Sequence, residues 1–209
     1  MPRLIRALLL GLVRLLVGAH ARWQGCGPSD AARIYFANHS SHLDTLVILA
    51  ALPRGDRDRT HPVAARDYWS RSPARRFLAE RCLGAVLVER KPHGAADPLD
   101  LPARALAAGE SLILFPEGTR GEGAIAPFRG GLFHLARRFP HVELVPVHVE
   151  NLHRVLPKGS LLLVPLLCTL TVGAPLALMP GETKPAFLER ARAALAGLAE
   201  PHEATEHGR

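Results

Sequence analysis

The stretch that decides the fold is IYFANHSSHLD, residues 34–44, in which a short apolar run leads into polar residues and then into a second apolar segment. The aromatic and β-branched residues at 34–37 predict a short buried strand. Residues 41–52 predict a helix, with Ser40 or Ser41 as its N-cap and Asp44 in a capping-box-like position. A buried strand that runs directly into a helix is the building unit of parallel α/β sheets.

The same alternation continues on both sides of this stretch. Residues 54–60 predict a polar loop. The three cysteines are far apart along the chain, which predicts structural thiols. Further strands are predicted near 62–65, 85–88, 111–115, 144–149, 161–167 and 170–172, and further helices near 72–82, 101–108, 132–138 and 184–198. The sequence therefore predicts an α/β fold with a central, mostly parallel β-sheet flanked by helices.

The first residues form a separate pattern. A transmembrane span is excluded for residues 4–18, because Arg6 and Arg14 leave seven uninterrupted apolar residues where about 20 are needed. Three interpretations remain: an amphipathic helix at a membrane surface, a helix packed on the core, and a cleaved signal. The first is favoured because Arg3, Arg6 and Arg14 lie within about 80° on a helical wheel. We accordingly divide the chain into an interfacial segment, a main domain and a flexible tail: residues 1–27, 28–199 and 200–209.

The charge of the chain indicates what kind of partner to expect. The net charge is +7 and the sequence pI is about 10.1, which favours anionic partners such as phospholipid headgroups, phosphorylated small molecules or an acidic carrier protein. Aromatic residues make up only 5% of the chain, which argues against a nucleic-acid binder built on aromatic stacking.

His39 and Asp44 are the first candidates for chemistry. On a regular helix, residues five apart point about 140° away from each other. They meet only if His39 lies in the turn before the helix and Asp44 points back from its first turn. Such a carboxylate would fix the imidazole tautomer and leave the other ring nitrogen free as a general base. The alternative is a buried histidine beside an N-capping aspartate.

Other catalytic groups are missing from the sequence pattern. There is no Gly-x-Ser-x-Gly elbow, so the base would act directly on a substrate hydroxyl. His39 and His42 have a spacing that suggests a metal, but no third ligand follows at a recognisable distance. We therefore expect no metal.

The segment FPEGTR, residues 115–120, follows a predicted strand. Its turn would expose backbone N–H groups, and Arg120 would offer a fork to a phosphate at the strand end. A plain surface turn is the alternative. Residues 84–90 place a second arginine, Arg90, after another short strand, which alone is a weak signal.

Together these segments resemble the glycerolipid acyltransferase family, which contains the 1-acylglycerol-3-phosphate (lysophosphatidate) acyltransferases. Residues 38–44, 84–90, 115–120 and 144–147 match its four ordered blocks, and residues 128–131 resemble the basic-glycine segment that follows the third block. The resemblance implies His39 as catalytic base and Asp44 as its orienting acid. It implies substrate binding by Arg90, Glu117, Gly118, Thr119 and Arg120, with Glu117 and Gly118 shaping the turn, and an acyl pocket at Val145 and Pro146.

The resemblance also implies a reaction and a location. The expected reaction transfers a fatty acyl group from acyl-CoA or acyl-carrier protein to the free hydroxyl of lysophosphatidate, giving phosphatidate, with no cofactor beyond the acyl donor. The expected location is peripheral or monotopic on the cytoplasmic face of the inner membrane, and the family's membrane-docking segment before the first block supports the interfacial interpretation of residues 1–27. Alternatives are another lyso-lipid or aminolipid acceptor, or a non-enzymatic lipid-binding protein. Glu89, an acid beside Arg90, departs from the family pattern and would bear on acceptor choice.

Overall fold

All strands that the structure describes belong to one sheet. The computed structural model describes residues 1–41, 43–89, 97–121, 124–150 and 168–199. Within those ranges the strands are β1 (His20–Trp23), β2 (Arg33–Ala37), β3 (Thr60–Ala65), β4 (Val86–Val88), β5 (Ser111–Leu114), β6 (Glu143–Val149) and β7 (Thr169–Val172). Their spatial order is β1-β7-β6-β2-β5-β3-β4, and only the β6–β7 pairing is antiparallel. The predicted α/β fold with a mostly parallel sheet is confirmed.

Helices cover both faces of this sheet. They are α1 (Pro2–Val17), α2 (Asp44–Ala51), α3 (Arg54–Asp58), α4 (Arg66–Trp69), α5 (Pro73–Phe77), α6 (Asp100–Ala107), α7 (Gly131–Arg138) and α8 (Lys184–Gly197), and a π-helical turn at Leu78–Cys82 continues α5. Ser72 caps α5, because its Oγ accepts a hydrogen bond from Arg75 N at 3.2 Å and Pro73 occupies the first turn. The predicted start of that helix is thus confirmed.

Strand β2 shows why the chain forms three layers. All five of its residues are buried, and successive side chains point to opposite faces. Tyr35 and Ala37 join the core cluster that contains α1 and α2 residues, whereas Ile34 and Phe36 join the cluster that contains residues of α6, α7 and α8. A strand that is apolar on both faces must lie inside a sheet covered on both sides, which places β2 at the centre.

Three sequence predictions need correction. Residues 54–60, predicted as a polar loop, contain the short helix α3 and the start of β3. Helix α2 begins at Asp44 rather than at residue 41, because the Asp44 carboxylate holds the backbone N–H groups of Ser40 and Ser41 in a turn. Strand β1 was not predicted and pairs with β7, so the segments predicted as 1–27 and 28–199 share one sheet. His42, Arg90, the predicted strand 161–167 and the tail 200–209 lie outside the described residues.

Helix α1 packs one face on the body of the protein and exposes the other. Leu10, Val13 and Val17 are buried, while five other apolar side chains are more than half exposed: Met1, Leu4, Leu8, Leu12 and Leu15. Arg6 does not share a solvated basic stripe, because its Nη2 donates to Arg57 O at 2.7 Å, and burial lowers the pKa of its guanidinium. Across the described residues, no helix combines the length and the apolar character that a bilayer crossing requires.

Candidate active site

The carboxyl ends of β2 and β5 bring the first and third sequence blocks together. The two strands are parallel neighbours, with Phe36 opposite Leu114. Both strands therefore end at the same edge of the sheet, where ligands bind in open α/β sheets. His39 follows β2 by two residues and Phe115 follows β5 directly. Segments 76 residues apart in sequence, counted from 39 to 115, thus form one site.

His39 and Asp44 are in contact, as the sequence analysis required. His39 Nδ1 lies 2.7 Å from Asp44 Oδ2, in an arrangement where the aspartate is fully buried and the histidine side chain is 22% exposed. Oδ2 also accepts hydrogen bonds from Ser40 N at 2.7 Å and Ser41 N at 2.8 Å. Asp44 can reach back in this way because the turn 39–41 precedes the first turn of α2, where its side chain points toward the helix N-terminus.

This geometry sets the protonation pattern of the imidazole. An ionised carboxylate only accepts hydrogen bonds, so Nδ1 must carry the proton that it shares with Asp44. Nε2 of the neutral ring is then an acceptor. The exposed fifth of the His39 side chain gives a substrate a route to the ring, while Asp44 stays out of contact with solvent. The arrangement is suited to removing a proton from a hydroxyl and stabilising the imidazolium that results.

Asn38 bridges β2 and β6 at this edge. Its Nδ2 donates to Val149 O at 3.0 Å and its Oδ1 accepts from Val149 N at 2.8 Å. The amide side chain therefore replaces the backbone partner that β2 stops supplying to β6 after Ala37. The two hydrogen bonds hold the end of β2 to β6 immediately before His39.

The block at 115–121 holds His39 from the other side. The Phe115 ring stacks on the imidazole with centroids 4.2 Å apart and 23° between the planes. Glu117 Oε1 accepts from His39 N at 2.9 Å, and Gly121 N donates to His39 O at 2.8 Å. Glu117 Oε2 accepts from Ala126 N at 2.9 Å, so both oxygens of this buried carboxylate face backbone N–H groups.

The remaining residues of this turn are Gly118, Thr119 and Arg120. Gly118 has φ +75°, a left-handed conformation that glycine adopts without strain. Thr119 and Arg120 are exposed. The Arg129 side chain covers Gly118, such that a Cβ added there would lie 2.7 Å from Arg129 Cδ, and Arg129 N donates to Pro116 O at 2.8 Å. Arg129 was not among the predicted site residues, although it lies in the basic-glycine segment 128–131 that follows the third block.

The predicted substrate-binding residues thus divide into two groups. Thr119 and Arg120 are exposed and Gly118 is half-buried, whereas Glu117 contacts the backbone of the base and of Ala126. That Glu117 and Gly118 shape the turn for a substrate stays a prediction. Direct contact of any of these residues with a substrate stays a prediction.

The acid beside Arg90 has a partner. Glu89 Oε1 lies 3.0 Å from Arg66 Nε, and Arg66 Nη2 also donates to Leu87 O at 3.3 Å. Arg66 follows β3 and Glu89 follows β4, so the pair sits at the same carboxyl edge of the sheet as His39. The negative charge of Glu89 is therefore compensated locally by an arginine that sequence reasoning had not connected with it.

Val145 and Pro146, the predicted acyl-pocket residues, are buried in β6 opposite Tyr35 and Phe36 of β2. Val145 belongs to the core cluster on the α1–α2 side. Their assignment to an acyl pocket stays a prediction. Nearby, burial raises the pKa of the Cys168 thiol to about 11, with a further contribution from the Asp44 carboxylate. The Cys168 thiol therefore stays protonated near Asp44 at neutral pH.

The fold and the site define a class of protein: a parallel α/β domain that presents a histidine–carboxylate pair and a glycine-containing, arginine-bearing turn at adjacent strand ends. A family model described as acyltransferase matches residues 27–150, well over half of the chain. The chain belongs to this acyltransferase family.

Similar proteins carry more specific names. The chain is 31% identical over 155 residues to a 1-acyl-sn-glycerol-3-phosphate acyltransferase of Limnanthes alba, covering 72% of this chain and 52% of the relative. It is also 31% identical over 155 residues to the alpha form of that enzyme from Mus musculus, covering 71% and 51%. The chain spans about half the length of the curated relatives it matches.

A solved structure shares the fold. The 1-acyl-sn-glycerophosphate acyltransferase PlsC from Thermotoga maritima superposes with a TM-score of 0.69 at 20% sequence identity. The superposition covers 92% of this chain and 79% of that chain. The sheet with its flanking helices is therefore an arrangement that this family member also has.

Proposed function

We propose that this protein transfers an acyl group from a thioester to the free hydroxyl of lysophosphatidate, giving phosphatidate. The observation that carries the proposal is the contact of His39 Nδ1 with buried Asp44 Oδ2 at 2.7 Å. That contact prepares Nε2 as a base at the mouth of the site. The names of the relatives support the choice of acceptor.

The chemical steps use groups that the site holds. Nε2 of His39 takes the proton of the acceptor hydroxyl while its oxygen attacks the thioester carbonyl, forming a C–O bond and a tetrahedral oxyanion. Collapse of this intermediate breaks the C–S bond, and the imidazolium returns its proton to the departing thiolate. Asp44 stabilises the imidazolium throughout, and backbone N–H groups at the strand ends would stabilise the oxyanion.

The acceptor phosphate would bind the outer surface of the FPEGTR turn. Arg120 is exposed there and Arg129 covers Gly118, so two guanidinium groups flank the turn. Arginine forks bind phosphate through paired, charge-assisted hydrogen bonds. Arg120→Ala should therefore raise the KM for lysophosphatidate about tenfold or more, with a smaller effect on kcat. An unchanged KM would exclude this arginine from phosphate binding.

The decisive test is thioester consumption by the purified protein. Acyl-CoA and acyl-carrier protein would each be offered with lysophosphatidate, an uncharged or zwitterionic lyso-lipid and a lyso-aminolipid. We expect the highest kcat/KM with lysophosphatidate, and His39→Ala should abolish turnover while the matched variant His141→Ala, at an exposed position, retains it. Preference for another lyso-lipid would change the acceptor and keep the mechanism. No turnover with any acceptor would leave a lipid-binding role.

We further infer that α1 docks on an anionic membrane surface. Leu4, Leu8, Leu12 and Leu15 fall within about 80° on the helical wheel, and all are more than half exposed, Leu15 by 81%. The helix contains no acidic residue in its first turn, and Arg14 lies in its last. An exposed apolar stripe on a helix without acidic residues, in a chain of net charge +7, suits a helix that lies in the headgroup layer of an anionic membrane.

Vesicle binding tests this inference. Replacing Leu8 and Leu15 with Ser should weaken binding to anionic vesicles by about tenfold or more, because each leucine loses apolar burial. Leu101→Ser is a matched control, since Leu101 is 41% exposed on α6, which packs on the opposite face of the sheet. If the wild-type protein, the variant with Ser at Leu8 and Leu15, and Leu101→Ser all bound the vesicles equally, the stripe would not dock.

A further inference from the structure

Phe115 contacts His39, and the proposed reaction gives this contact no role. Its ring lies nearly parallel to the imidazole, with centroids 4.2 Å apart and 23° between the planes. The contact joins the ends of two neighbouring strands, since Phe115 directly follows β5 and His39 follows β2. Phe115 is partly buried and packs against the core cluster that contains Tyr35 and Val47. It is therefore anchored by the core on one side and meets the imidazole on the other.

The hydrogen bond to Asp44 restrains the imidazole only loosely. The 2.7 Å distance from Nδ1 to Oδ2 is compatible with a range of ring tilts, because N–H···O bonds stay favourable at any angle above about 150°. The torsion about the Cβ–Cγ bond ends in a planar group and has a broad minimum, so it does little to narrow that range. Such tilting would move Nε2 relative to a substrate hydroxyl. A flat contact on the ring face narrows the tilt further than the hydrogen bond does.

The backbone of His39 is already held by other groups. Glu117 Oε1 accepts from His39 N at 2.9 Å, and Gly121 N donates to His39 O at 2.8 Å. These bonds position the peptide groups on either side of Cα. The tilt of the ring plane is therefore set by the Asp44 hydrogen bond and the Phe115 contact together.

We propose that Phe115 is a positioning residue for the base, acting through the plane of the His39 imidazole. This inference rests on the proposed function, in which Nε2 receives a proton. An aromatic ring suits the task better than an aliphatic side chain of similar size for two reasons. It presents a flat face, and that face attracts the positive charge that the imidazole acquires during proton transfer.

The kinetic test compares variants at two phenylalanines. Phe115→Leu keeps an apolar side chain but removes the flat face, so kcat should fall about tenfold, in line with the cost of a misaligned reacting group. The KM values for donor and acceptor should stay within about twofold, because the ring does not bind substrate. Phe115→Tyr keeps the flat ring face and should retain most of the wild-type kcat. The matched control is Phe133→Leu, a buried aromatic on α7 that contacts Phe187.

A merely structural role would give a different result. In that case both leucine variants would lose thermal stability and activity in parallel, and Phe115→Tyr would offer no specific rescue. We expect instead that Phe133→Leu lowers Tm while kcat stays near wild type, and that only Phe115→Leu lowers kcat. An unchanged kcat in Phe115→Leu would overturn the proposal.

A spectroscopic measurement keeps the inference independent of the reaction. In the NMR spectrum of the folded protein, the ring current of Phe115 should shift the His39 ring C–H protons upfield. Phe115→Leu should move them downfield and broaden the Nδ1–H proton, whereas Phe133→Leu should leave both unchanged. Identical His39 signals in wild type and Phe115→Leu would exclude the positioning role. Absence of turnover in the wild-type protein would overturn the proposed function, and the NMR result would still decide the role of Phe115.

Discussion

Replacing Asp44 with Asn separates the charge of this carboxylate from its hydrogen bonds. All three close donors, His39 Nδ1, Ser40 N and Ser41 N, meet the same oxygen, Oδ2, at 2.7–2.8 Å. The amide oxygen of the Asp44→Asn side chain can take that place. Its NH2 group then falls at the position of Oδ1, whose contact is with Ser40 Oγ at 3.5 Å. The three hydrogen bonds and the Nδ1–H tautomer are kept, and only the negative charge is lost.

The cost to catalysis follows from that lost charge. Imidazolium and carboxylate centres about 4 Å apart attract each other by about 4 kcal/mol at an effective dielectric constant near 20. Since the imidazolium forms only during proton transfer, most of this stabilisation is lost from the transition state. Each 1.36 kcal/mol corresponds to about a tenfold change in rate, so kcat should fall about 10³-fold.

The cost to stability should be much smaller in this variant than in Asp44→Ala. Asp44→Asn keeps an acceptor for both serine N–H groups but buries an NH2 group beside Ser40 Oγ, so we expect a loss of about 1 kcal/mol in the free energy of unfolding. Asp44→Ala leaves the N–H groups of Ser40 and buried Ser41 without that acceptor. At about 1–3 kcal/mol for each unsatisfied group, the loss is about 2–6 kcal/mol.

The assay combines thioester release at saturating lysophosphatidate with urea unfolding of the same preparations. The reasoning predicts a large loss of kcat with near-normal stability for Asp44→Asn, and a loss of both for Asp44→Ala. If Asp44→Asn retained kcat within a few-fold, the charge would not act in the transition state. Equal destabilisation by the two variants would refute the claim that one oxygen serves all three donors.

Three further predictions concern Gly118 in the turn, the Asn38–Val149 contact and the buried Cys168. Gly118→Ala should destabilise by about 1–2 kcal/mol in thermal unfolding, because φ +75° strains a residue with a Cβ, whereas Gly11→Ala on α1, with open space around it, should not destabilise. Asn38→Ala should cost about 1–3 kcal/mol in urea unfolding, since both polar groups of Val149 lose their Asn38 partner. Cys168 should resist thiol reagents at pH 8 until urea unfolds the protein, because a pKa of about 11 leaves about one thiolate in a thousand.

Each of these has an outcome that contradicts it. Equal or greater stability of Gly118→Ala would show that the turn relaxes around the added methyl group. Full stability of Asn38→Ala would mean that water replaces the Asn38 amide as the partner of Val149. Mass-spectrometric detection of labelled Cys168 in the native protein would show that its surroundings open on the time scale of the reaction.

Much of the sheet could be predicted from local sequence. Strand β2 is apolar on both faces, and a run with that composition between turn residues has few other structures available to it. Strand β1 and helix α3 were missed for opposite reasons. Residues 20–23 form a short, half-exposed strand whose partner β7 lies almost 150 residues later. Residues 54–58, RGDRD, have no apolar periodicity, so only tertiary contacts and local ion pairs select the helix.

The contacts of the site are also of two kinds: some depend on local sequence, and others depend on strand order. The meeting of His39 with Asp44 depends on one strand-to-helix turn, which residues 37–44 specify locally. The contacts of Phe115 and Glu117 with His39 depend on β5 lying beside β2, and the sequence does not state strand order. Arg66 and Glu89 illustrate the same limit, since their ion pair exists only because β3 and β4 are neighbours.

The strand order bears on where each substrate of the proposed reaction would bind. The base on β2 lies between β6, which carries the predicted acyl-pocket residues, and β5, which carries the arginine-bearing turn. β3 and β4, with the Arg66–Glu89 pair, extend the β5 side by about 5 Å per strand. A lysophosphatidate bound with its phosphate on the β5 side and its hydroxyl at His39 would leave the β6 side for the thioester. On the β6 side Asn38 joins β2 to Val149 through two hydrogen bonds, so a donor bound there would lie beside this contact.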